Sequence, residues 1–150
     1  MRFFGDFPAK VDPKGRVILP AAFRKLLEAE KERTLVIRHD SYQPCLVIYP
    51  ESVWNRMLDE LEAKLNKWNR RHQDILRRFV EGAEKFELDG NGRLLINKRK
   101  MDRAGIKQDI MFLAVNDKIE VWGTERYVEH FANEEGAAEE LESVMCDMDE

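Results

Sequence analysis

The sequence contains little cysteine and no long hydrophobic run. Its two cysteines, Cys45 and Cys146, are far apart and lack the spacing of metal ligands, so we expect neither a disulfide nor a cysteine-based metal site. The longest apolar runs cover only a few residues, as from Cys45 to Tyr49, and are too short to span a bilayer. The opening segment MRFFGDFPAK includes an acid and a proline, which is not typical of a signal peptide. The sequence therefore predicts a cytoplasmic protein with no membrane partner.

Motifs of the common enzyme classes are also missing. The sequence has no G-x-S-x-G nucleophile elbow, no P-loop and no G-x-G-x-x-G dinucleotide motif. Its three histidines, His39, His72 and His130, are scattered, and none is placed at i, i+4 from a second metal ligand of the zinc-protease type. We therefore predict that the protein is not an enzyme and has no metal, no cofactor and no small-molecule substrate.

The charge is unevenly distributed along the chain. Of the 150 residues, 36% are charged, and the formal net charge is −4. Residues 134–150 contain eight acidic residues and no lysine or arginine, and without those acids the net charge becomes +4. A mildly basic body with an acidic tail is compatible with a partner that carries phosphates. A solvated, disordered tail on a neutral domain explains the charges equally well.

One short sequence unit occurs twice. The segments VDPKGRVILP (residues 11–20) and LDGNGRLLIN (residues 88–97) align without a gap. Further along, LVIYPE (residues 46–51) resembles IEVWGT (residues 119–124), and an aromatic residue follows in each copy, Trp54 and Tyr127. These segments predict two related halves, a linker between them and a tail. The expected bounds are 7–53 for the first half, 54–81 for the helical linker, 82–125 for the second half and 134–150 for the acidic tail.

Each copy is centred on a turn. Asp12 can accept hydrogen bonds from backbone N–H groups ahead of it, and Gly15 tolerates a left-handed conformation. Asp89 and Gly92 offer the same chemistry in the second copy. A short strand before each turn and an apolar strand after it predict a β-hairpin at each motif.

Helices and further strands are expected around the two turns. Pro20 suits the first position of one helix, whereas Asn97 can cap a second helix that Gly105 ends. Strand pairs are expected in both halves, at residues 35–38 with 46–49 and at residues 110–115 with 118–122. Apolar residues at helical spacing between Val53 and Val80 predict two linking helices, or one bent helix, whose apolar stripe serves core or subunit packing. The predicted fold class is α+β.

Basic residues concentrate in three regions. They are Lys10, Lys14, Arg16, Arg24 and Lys25 around the first turn, Arg93, Lys98, Arg99, Lys100 and Arg103 around the second, and Arg70, Arg71, Arg77 and Arg78 on the linking helices. Lysine and arginine on an exposed hairpin can neutralise DNA phosphates, and arginine can bind guanine in the major groove, which a two-stranded ribbon can enter. Alternatively, Asp12–Arg16 and Asp89–Arg93 are ion pairs that only stabilise the turns. The duplication of the pattern favours the DNA-binding interpretation.

Taken together, the motifs resemble the MraZ family, whose fold is of the AbrB/SpoVT swapped-hairpin type. The matching residues are Asp12-x-Lys14-Gly15-Arg16-x-x-x-Pro20 with Phe23-Arg24, the run Cys45-Leu46-Val47-Ile48-Tyr49-Pro50, the second motif Asp89-Gly90-x-Gly92-Arg93-Leu94-Leu95-Ile96, and Lys118-Ile119-Glu120-Val121-Trp122. Their order and spacing match over roughly residues 1 to 130.

The resemblance implies two pseudo-symmetric AbrB/SpoVT-like repeats, rich in β-hairpins, that form one β-barrel-like unit. It also implies a ring-shaped homo-oligomer that binds direct repeats in its own promoter, ahead of the bacterial division and cell-wall gene cluster. Such a regulator is cytoplasmic and nucleoid-associated, and double-stranded DNA and further copies of the chain are its partners. The DNA contacts of the family fall on the first motif, here on Lys14 and Arg16, with Arg24 and Arg93 as further candidates.

The second motif departs from the first at two positions. Asn91 stands where the first copy has Lys14, and Asn97 stands where it has Pro20. We therefore expect the first motif to contact DNA and the second to serve packing. A different hypothesis, a protein-interaction or structural ring without DNA binding, is motivated by the net acidic charge and the long apolar helical stripe.

Overall fold

The computed structural model describes residues 1–147, and residues 148–150 of the acidic tail lie outside this range. The first half comprises β1 (Asp6–Lys10), β2 (Arg16–Ile18), α1 (Ala21–Ala29), β3 (Leu35–His39) and β4 (Leu46–Pro50), and α2 (Glu51–Lys64) follows it. Helix α3 (Arg70–Val80) leads to β5 (Glu84–Phe86), β6 (Arg93–Leu95), α4 (Lys98–Ala104), β7 (Asp109–Val115), β8 (Lys118–Gly123), α5 (Thr124–Ala132) and α6 (Ala137–Asp147). The architecture is α+β, which confirms the predicted class.

The main sheet is built symmetrically from both halves. Its strand order is β1-β7-β8-β4-β3-β5, and all neighbouring strands are antiparallel. The two halves meet where β4 pairs with β8, and Ile48 lies opposite Ile119 there. On either side of this junction, β1 pairs with β7 and β5 pairs with β3, so each half contributes an edge strand to the other. This exchange agrees with the swapped arrangement that the family resemblance implies.

The strands next to the two turns do not pair as the predicted β-hairpins require. β2 leaves the first turn and pairs with β6 of the second copy, with Val17 opposite Leu94, whereas β1 pairs with β7. The prediction of a local hairpin at each turn is therefore wrong in its strand pairing. The turn signal is local, but strand pairing depends on which partner buries the apolar side chains. Pairing β2 with β6 leaves Val17 and Leu94 each only 2% exposed.

Both faces of the central strands are buried. On one face, side chains such as Ile48 and Ile119 pack in one apolar cluster with Val17 and Leu94 of the two-stranded ribbon. On the other face of β3 and β4, a second cluster forms under α2 and α3. Burial on two faces explains why β4 is continuously apolar in sequence, as LVIYP, rather than alternating.

The linker consists of two helices, α2 and α3. Asn69 caps α3, because its side chain accepts hydrogen bonds from the backbone N–H groups of Arg71 and His72. The Phe79 ring at the end of α3 stacks on Trp54 of α2, with centroids 5.3 Å apart. This contact holds α3 against the body of the protein.

The helix termini follow the sequence signals closely. Pro20 lies at the cap position, and α1 begins at Ala21, one residue later than expected. Asn97 caps α4 by accepting a hydrogen bond from the backbone N–H of Lys100 at 2.9 Å. Gly105 ends α4 in a left-handed conformation with φ of 67°.

One pair of equivalent positions differs between the two halves. Phe7 and Phe23 pack edge to face in the first half, with ring centroids 5.2 Å apart. The second half holds Glu84 and Lys100 at these positions, with Oε1 and Nζ 2.6 Å apart. The Lys100 side chain is only 7% exposed, whereas that of Glu84 is 54% exposed. Lys100 is therefore a buried structural residue and is not free to contact phosphate.

Removal of the partner of Lys100 should destabilise the fold. We expect Glu84→Ala to lower the free energy of unfolding by roughly 1–3 kcal/mol, because the ammonium group stays buried without its carboxylate. The exposure of Glu84 keeps this loss below that of a fully buried pair. The joint replacement Glu84→Phe with Lys100→Phe should recover most of the loss by recreating the aromatic pair of the first half. Urea unfolding at fixed protein concentration measures both, and a Glu84→Ala variant as stable as the wild type would contradict this account.

Candidate nucleic-acid interface

The first turn is organised by the carboxylate of Asp12. Its Oδ1 atom accepts hydrogen bonds from the backbone N–H groups of Lys14 and Arg16, both at 2.9 Å. Its Oδ2 atom accepts a third hydrogen bond from Nε of Arg16 at 2.7 Å. Asp12 therefore caps the turn and also pairs with the Arg16 side chain.

The second turn repeats this geometry. Oδ1 of Asp89 accepts hydrogen bonds from the backbone N–H groups of Asn91 and Arg93, both at 2.9 Å. Oδ2 of Asp89 accepts from Nε of Arg93, also at 2.9 Å. The exchange of Lys14 for Asn91 between the copies thus changes the charge of the turn without changing its conformation.

These hydrogen bonds stabilise the ionised carboxylates. The pKa of Asp12 lies below its ordinary value, chiefly because the backbone N–H of Arg16 donates to it. The backbone N–H of Arg93 lowers the pKa of Asp89 in the same way. A carboxyl group whose pKa falls on folding stabilises the folded state above its unfolded pKa, and this contribution is lost as the pH falls through the folded pKa.

Acidification should therefore loosen both turns. Between about pH 6 and about pH 3, across the ordinary aspartate pKa, the wild type should lose more thermal stability than the Asp12→Asn/Asp89→Asn variant. The variant has no carboxylate to protonate at either turn. Melting curves followed by circular dichroism at several pH values measure the difference. An identical pH dependence in the two proteins would show that these carboxylates do not contribute.

The two turns are locked together by backbone hydrogen bonds. The N–H of Leu19 donates to the carbonyl of Gly92 at 3.0 Å, and the N–H of Ile96 donates to the carbonyl of Gly15 at 2.8 Å. Gly15 has φ of +88° and Gly92 has φ of +75°, which glycine adopts at little cost. The two copies of the motif therefore form one structural unit, and each depends on the other for its position.

The outward side of the two-stranded ribbon, which we call the ribbon face, carries two arginines and two aliphatic residues. Its members are Arg16 and Ile18 of β2 and Arg93 and Leu95 of β6. Arg16 lies opposite Leu95, and Ile18 lies opposite Arg93. The arginines therefore lie diagonally across one surface, about 7 Å apart along the strands. The ribbon face brings together residues from both motifs.

The arginines of the ribbon face are held in a fixed orientation but keep hydrogen-bond donors free. The side chains of Arg16 and Arg93 are 37% and 29% exposed. Each uses Nε to bind its aspartate, and within residues 1–147 neither donates a hydrogen bond from its terminal Nη atoms. A guanidinium held in this way presents its outer edge to an external acceptor in a fixed direction.

The other candidate residues occupy different surroundings. Lys14 is exposed at the tip of the first turn, and Lys98 of α4 lines the same cleft, of about 740 Å³. Arg24 donates from Nε to the carbonyl of Leu19 at 2.9 Å and lies against Gly92. Arg24 thus packs on the second turn rather than on the first.

Two members of the ribbon face were not singled out from the sequence. Ile18 is 54% exposed and Leu95 is 64% exposed, although both belong to apolar runs. The signal that could have identified them is the two-residue period of a strand, because Val17 and Leu94 between the outward residues face the core.

None of the helices between residues 1 and 147 is long and apolar enough to cross a bilayer.

Comparison with known proteins identifies relatives along nearly the whole chain. The family model described as "MraZ protein, putative antitoxin-like" matches residues 3–77 and 79–147. A protein of Phocaeicola vulgatus named transcriptional regulator MraZ is 51% identical over 145 residues, which cover 97% of this chain and 94% of the relative. Proteins of the same name are 48% identical in Bacteroides fragilis (strain ATCC 25285), over 97% of this chain and 92% of the relative, and 46% identical in Bacteroides thetaiotaomicron, over 98% and 94%.

The matched ranges include both turns and extend to α6, beyond the motifs that carry the sequence resemblance. The shared name of the relatives is that of a transcriptional regulator and not of an enzyme, which confirms the prediction of a non-enzymatic protein. The chain therefore belongs to the MraZ family.

Proposed function

We propose that this protein regulates transcription by binding double-stranded promoter DNA through the ribbon face and the tip of the first turn. The observation that carries the proposal is the pair of arginines, Arg16 and Arg93, held on one exposed surface by neighbouring aspartates. The name of the relatives, transcriptional regulator, supports the same function.

The ribbon face has the shape and chemistry for the major groove. A two-stranded ribbon is narrow enough to enter that groove, which is about 12 Å wide. The free Nη atoms of Arg16 can donate to the O6 and N7 acceptors of guanine, while Nε stays bound to Asp12. The exposed side chains of Ile18 and Leu95 can contact thymine methyl groups. We assign base contacts to the ribbon face, with Arg16 as the principal residue.

Exposed cations next to the ribbon face fit the phosphate backbone. Lys14 at the turn tip and Lys98 and Arg99 at the start of α4 are all exposed. Contacts to phosphates set the position of a protein on DNA and make its affinity depend on salt, but they do not read the sequence. We assign this role to Lys14 first, because it adjoins Arg16.

A single ribbon contact is small, so we propose that the chain acts as a ring-shaped homo-oligomer. Several protomers of the ring would each bind one of the direct repeats in the protein's own promoter, ahead of the division and cell-wall gene cluster. Linked contacts raise the total affinity by a factor of roughly 10² to 10⁴ without any new contact. The protein would then be associated with the nucleoid in the cytoplasm.

A ring without DNA binding is the second candidate function. It is favoured by exposed apolar side chains near the end of the chain, among them Val128 (59%), Phe131 (45%) and Leu141 (66%). Exposed apolar patches of this kind are typical of protein–protein contacts. Under this alternative the ribbon face binds no DNA.

Fluorescence anisotropy separates the two candidates. The full chain is titrated into a labelled duplex from its gene's own upstream region and, as a control, into a shuffled duplex of equal composition, over a series of salt concentrations. We expect the upstream duplex to bind about 10³-fold more tightly at physiological salt. The absence of binding even at low salt would overturn the proposal and favour the second candidate. Equal binding of both duplexes would contradict promoter recognition.

A further inference from the structure

We propose that α6 of one protomer docks on the basic surface of α3 in a second copy of the chain. This α3 surface comprises Arg70, Arg71, Ile75, Arg77 and Arg78, with the cavity beside them. The inference rests on the proposed ring and names the two surfaces that would join its neighbours.

Helix α6 has an apolar face without a partner in its own chain. Leu141, Val144 and Met145 follow at helical spacing and are 66%, 59% and 55% exposed. All side chains from 137 to 146 are exposed, so α6 does not pack on the body of the protein. A helix of this length is marginal in water when it stands alone. An external surface that covers the apolar face would stabilise it.

Helix α6 is also strongly acidic. Glu139, Glu140 and Glu142 lie on it, within the segment 134–150 that contains no lysine or arginine. Its charge therefore has no counter-ion in the same segment. The surface that covers α6 should combine exposed apolar groups with positive charge.

The α3 surface meets this description. Arg70 and Arg77 lie seven residues apart on one side of α3, and neither has an ion-pair partner within residues 1–147, whereas Arg78 pairs with Asp74 at 2.8 Å. Ile75, which neighbours Arg71 and Arg78 on the helix surface, is 48% exposed, and Trp68 just before the helix is 86% exposed. The exposed arginines and apolar groups of α3 thus complement the acids and apolar groups of α6.

The cavity beside α3 has a volume of about 800 Å³ and an excess of positive charge. Its lining includes four arginines, Arg38, Arg77, Arg78 and Arg103, but only two acids, Asp40 and Glu81, and the imidazole of His39 lies among them. Glu81 neutralises part of this charge by pairing with Arg103 at 3.6 Å. The pKa of His39 is lowered to about 4, first by burial and then by the charges of Arg103 and Lys100. The positive charges that contribute to this shift also favour a ligand with carboxylates.

A second copy is the occupant that the arrangement favours. Helix α5, to which α6 is connected, packs on β7 and β8, whereas the cavity lies beside β3, and β4 and β8 separate β3 from β7 in the sheet. The acidic helix and the basic surface are different surfaces of one chain with opposite charge. Contacts between two different surfaces join protomers head to tail and can close into a ring.

Charge reversal tests the contact in the full chain. Arg70→Glu/Arg77→Glu should raise the dissociation constant of the oligomer by about tenfold or more, because acids then face α6. Glu140→Lys/Glu142→Lys, which changes the two acids that flank the apolar face of α6, should have a similar effect, and a mixture of the two variants should assemble again. Lys25→Glu/Lys64→Glu reverses two exposed charges on α1 and α2, outside the cavity, and serves as the matched control. Sedimentation velocity over a protein dilution series measures all four samples.

Cross-linking at Cys146 identifies the chain that each helix contacts. Cys146 is exposed, whereas Cys45 is buried and burial raises the pKa of its thiol, so only Cys146 reacts readily. The wild type is mixed with a tagged Ile75→Cys/Cys146→Ser variant and treated with a flexible bis-maleimide. We expect a covalent heterodimer that carries one tag.

The outcomes separate this inference from the proposed ring. An oligomer without the tagged heterodimer, and without loss of assembly on charge reversal, would overturn the α6–α3 contact and leave the ring standing. The Ile75→Cys variant that keeps Cys146 is cross-linked alone as a further sample. A cross-link between these two cysteines within one chain would show that α6 folds back on its own α3. A monomer at all concentrations would overturn both the contact and the ring, whereas DNA binding by that monomer would still support the ribbon face.

Discussion

Gly15→Ala should lower the free energy of unfolding by roughly 2–5 kcal/mol. Gly15 has φ of +88°, which an L side chain adopts only with strain. A Cβ atom there would also lie 2.5 Å from the backbone oxygen of Ile96, which cannot swing away as a side chain can. The new methyl group would force apart the two motifs that the hydrogen bond from Ile96 to Gly15 joins. Urea unfolding at fixed protein concentration measures the loss.

Two other glycines serve as graded controls. Gly90 has no positive φ, and a Cβ atom there would meet nothing within 4 Å, so Gly90→Ala should change stability by less than about 1 kcal/mol. At Gly92 the new Cβ would meet the flexible side chain of Arg24 at 2.7 Å, so Gly92→Ala should fall between the other two. A Gly15→Ala loss no larger than that of Gly90→Ala would show that the turns are not locked together as described.

Arg16→Ala should weaken binding to the upstream duplex by about 5- to 150-fold, the value of one good arginine–guanine contact. Arg93→Ala should weaken it less, because the second turn has Asn91 in place of Lys14. Both variants lose an ion pair of the same geometry, with Nε–Oδ2 distances of 2.7 and 2.9 Å. The structural cost to the turn is therefore similar in the two variants, and the difference in affinity reports the DNA contact. Equal losses would show that the two turns contribute equally.

A reciprocal exchange at the turn tips tests the phosphate contact. Lys14→Asn should lower the slope of log affinity against log salt concentration by about 1, the value of one phosphate contact. It should weaken binding to all DNA sequences by a similar factor. Asn91→Lys should leave the salt dependence unchanged if only the first turn approaches the backbone. The tip residues are exposed and both turns have the same conformation, so neither exchange should alter stability. A steeper salt dependence in Asn91→Lys would place the second turn at the DNA as well.

Much of the local structure could be predicted from the sequence because its causes are local. The Asp12 carboxylate reaches N–H groups only two and four residues ahead, so the turn follows from five consecutive residues. The cap at Asn97 and the helix end at Gly105 depend on neighbours within one helical turn in the same way. The duplicated motif also identifies the family from the sequence, because it requires no knowledge of distant contacts.

The sequence predicts residues of the candidate site but not how the fold brings them together. The sequence indicates Arg16 and Arg93 separately, one in each motif, and the pairing of β2 with β6 brings them together on one face. Arg24 belongs to the basic cluster around the first turn, yet its side chain packs on the second turn. Lys100 belongs to the cluster around the second turn, yet it is buried against Glu84. Charge is visible in a sequence, but burial depends on which distant segments cover the side chain.

The sequence by itself determined the two Asp-centred turns, the helix caps, the apolar strands and the MraZ family. Each of these depends on residues close together in the chain or on a pattern that can be compared directly. Only the tertiary structure decided that β2 pairs with β6 and that Arg16 and Arg93 share one face. It also decided that the side chains of Ile18 and Leu95 are exposed to solvent. The physical reason is that strand partners are chosen by burial of apolar surface across the two halves, and this choice involves residues some 77 positions apart, as Val17 and Leu94 are.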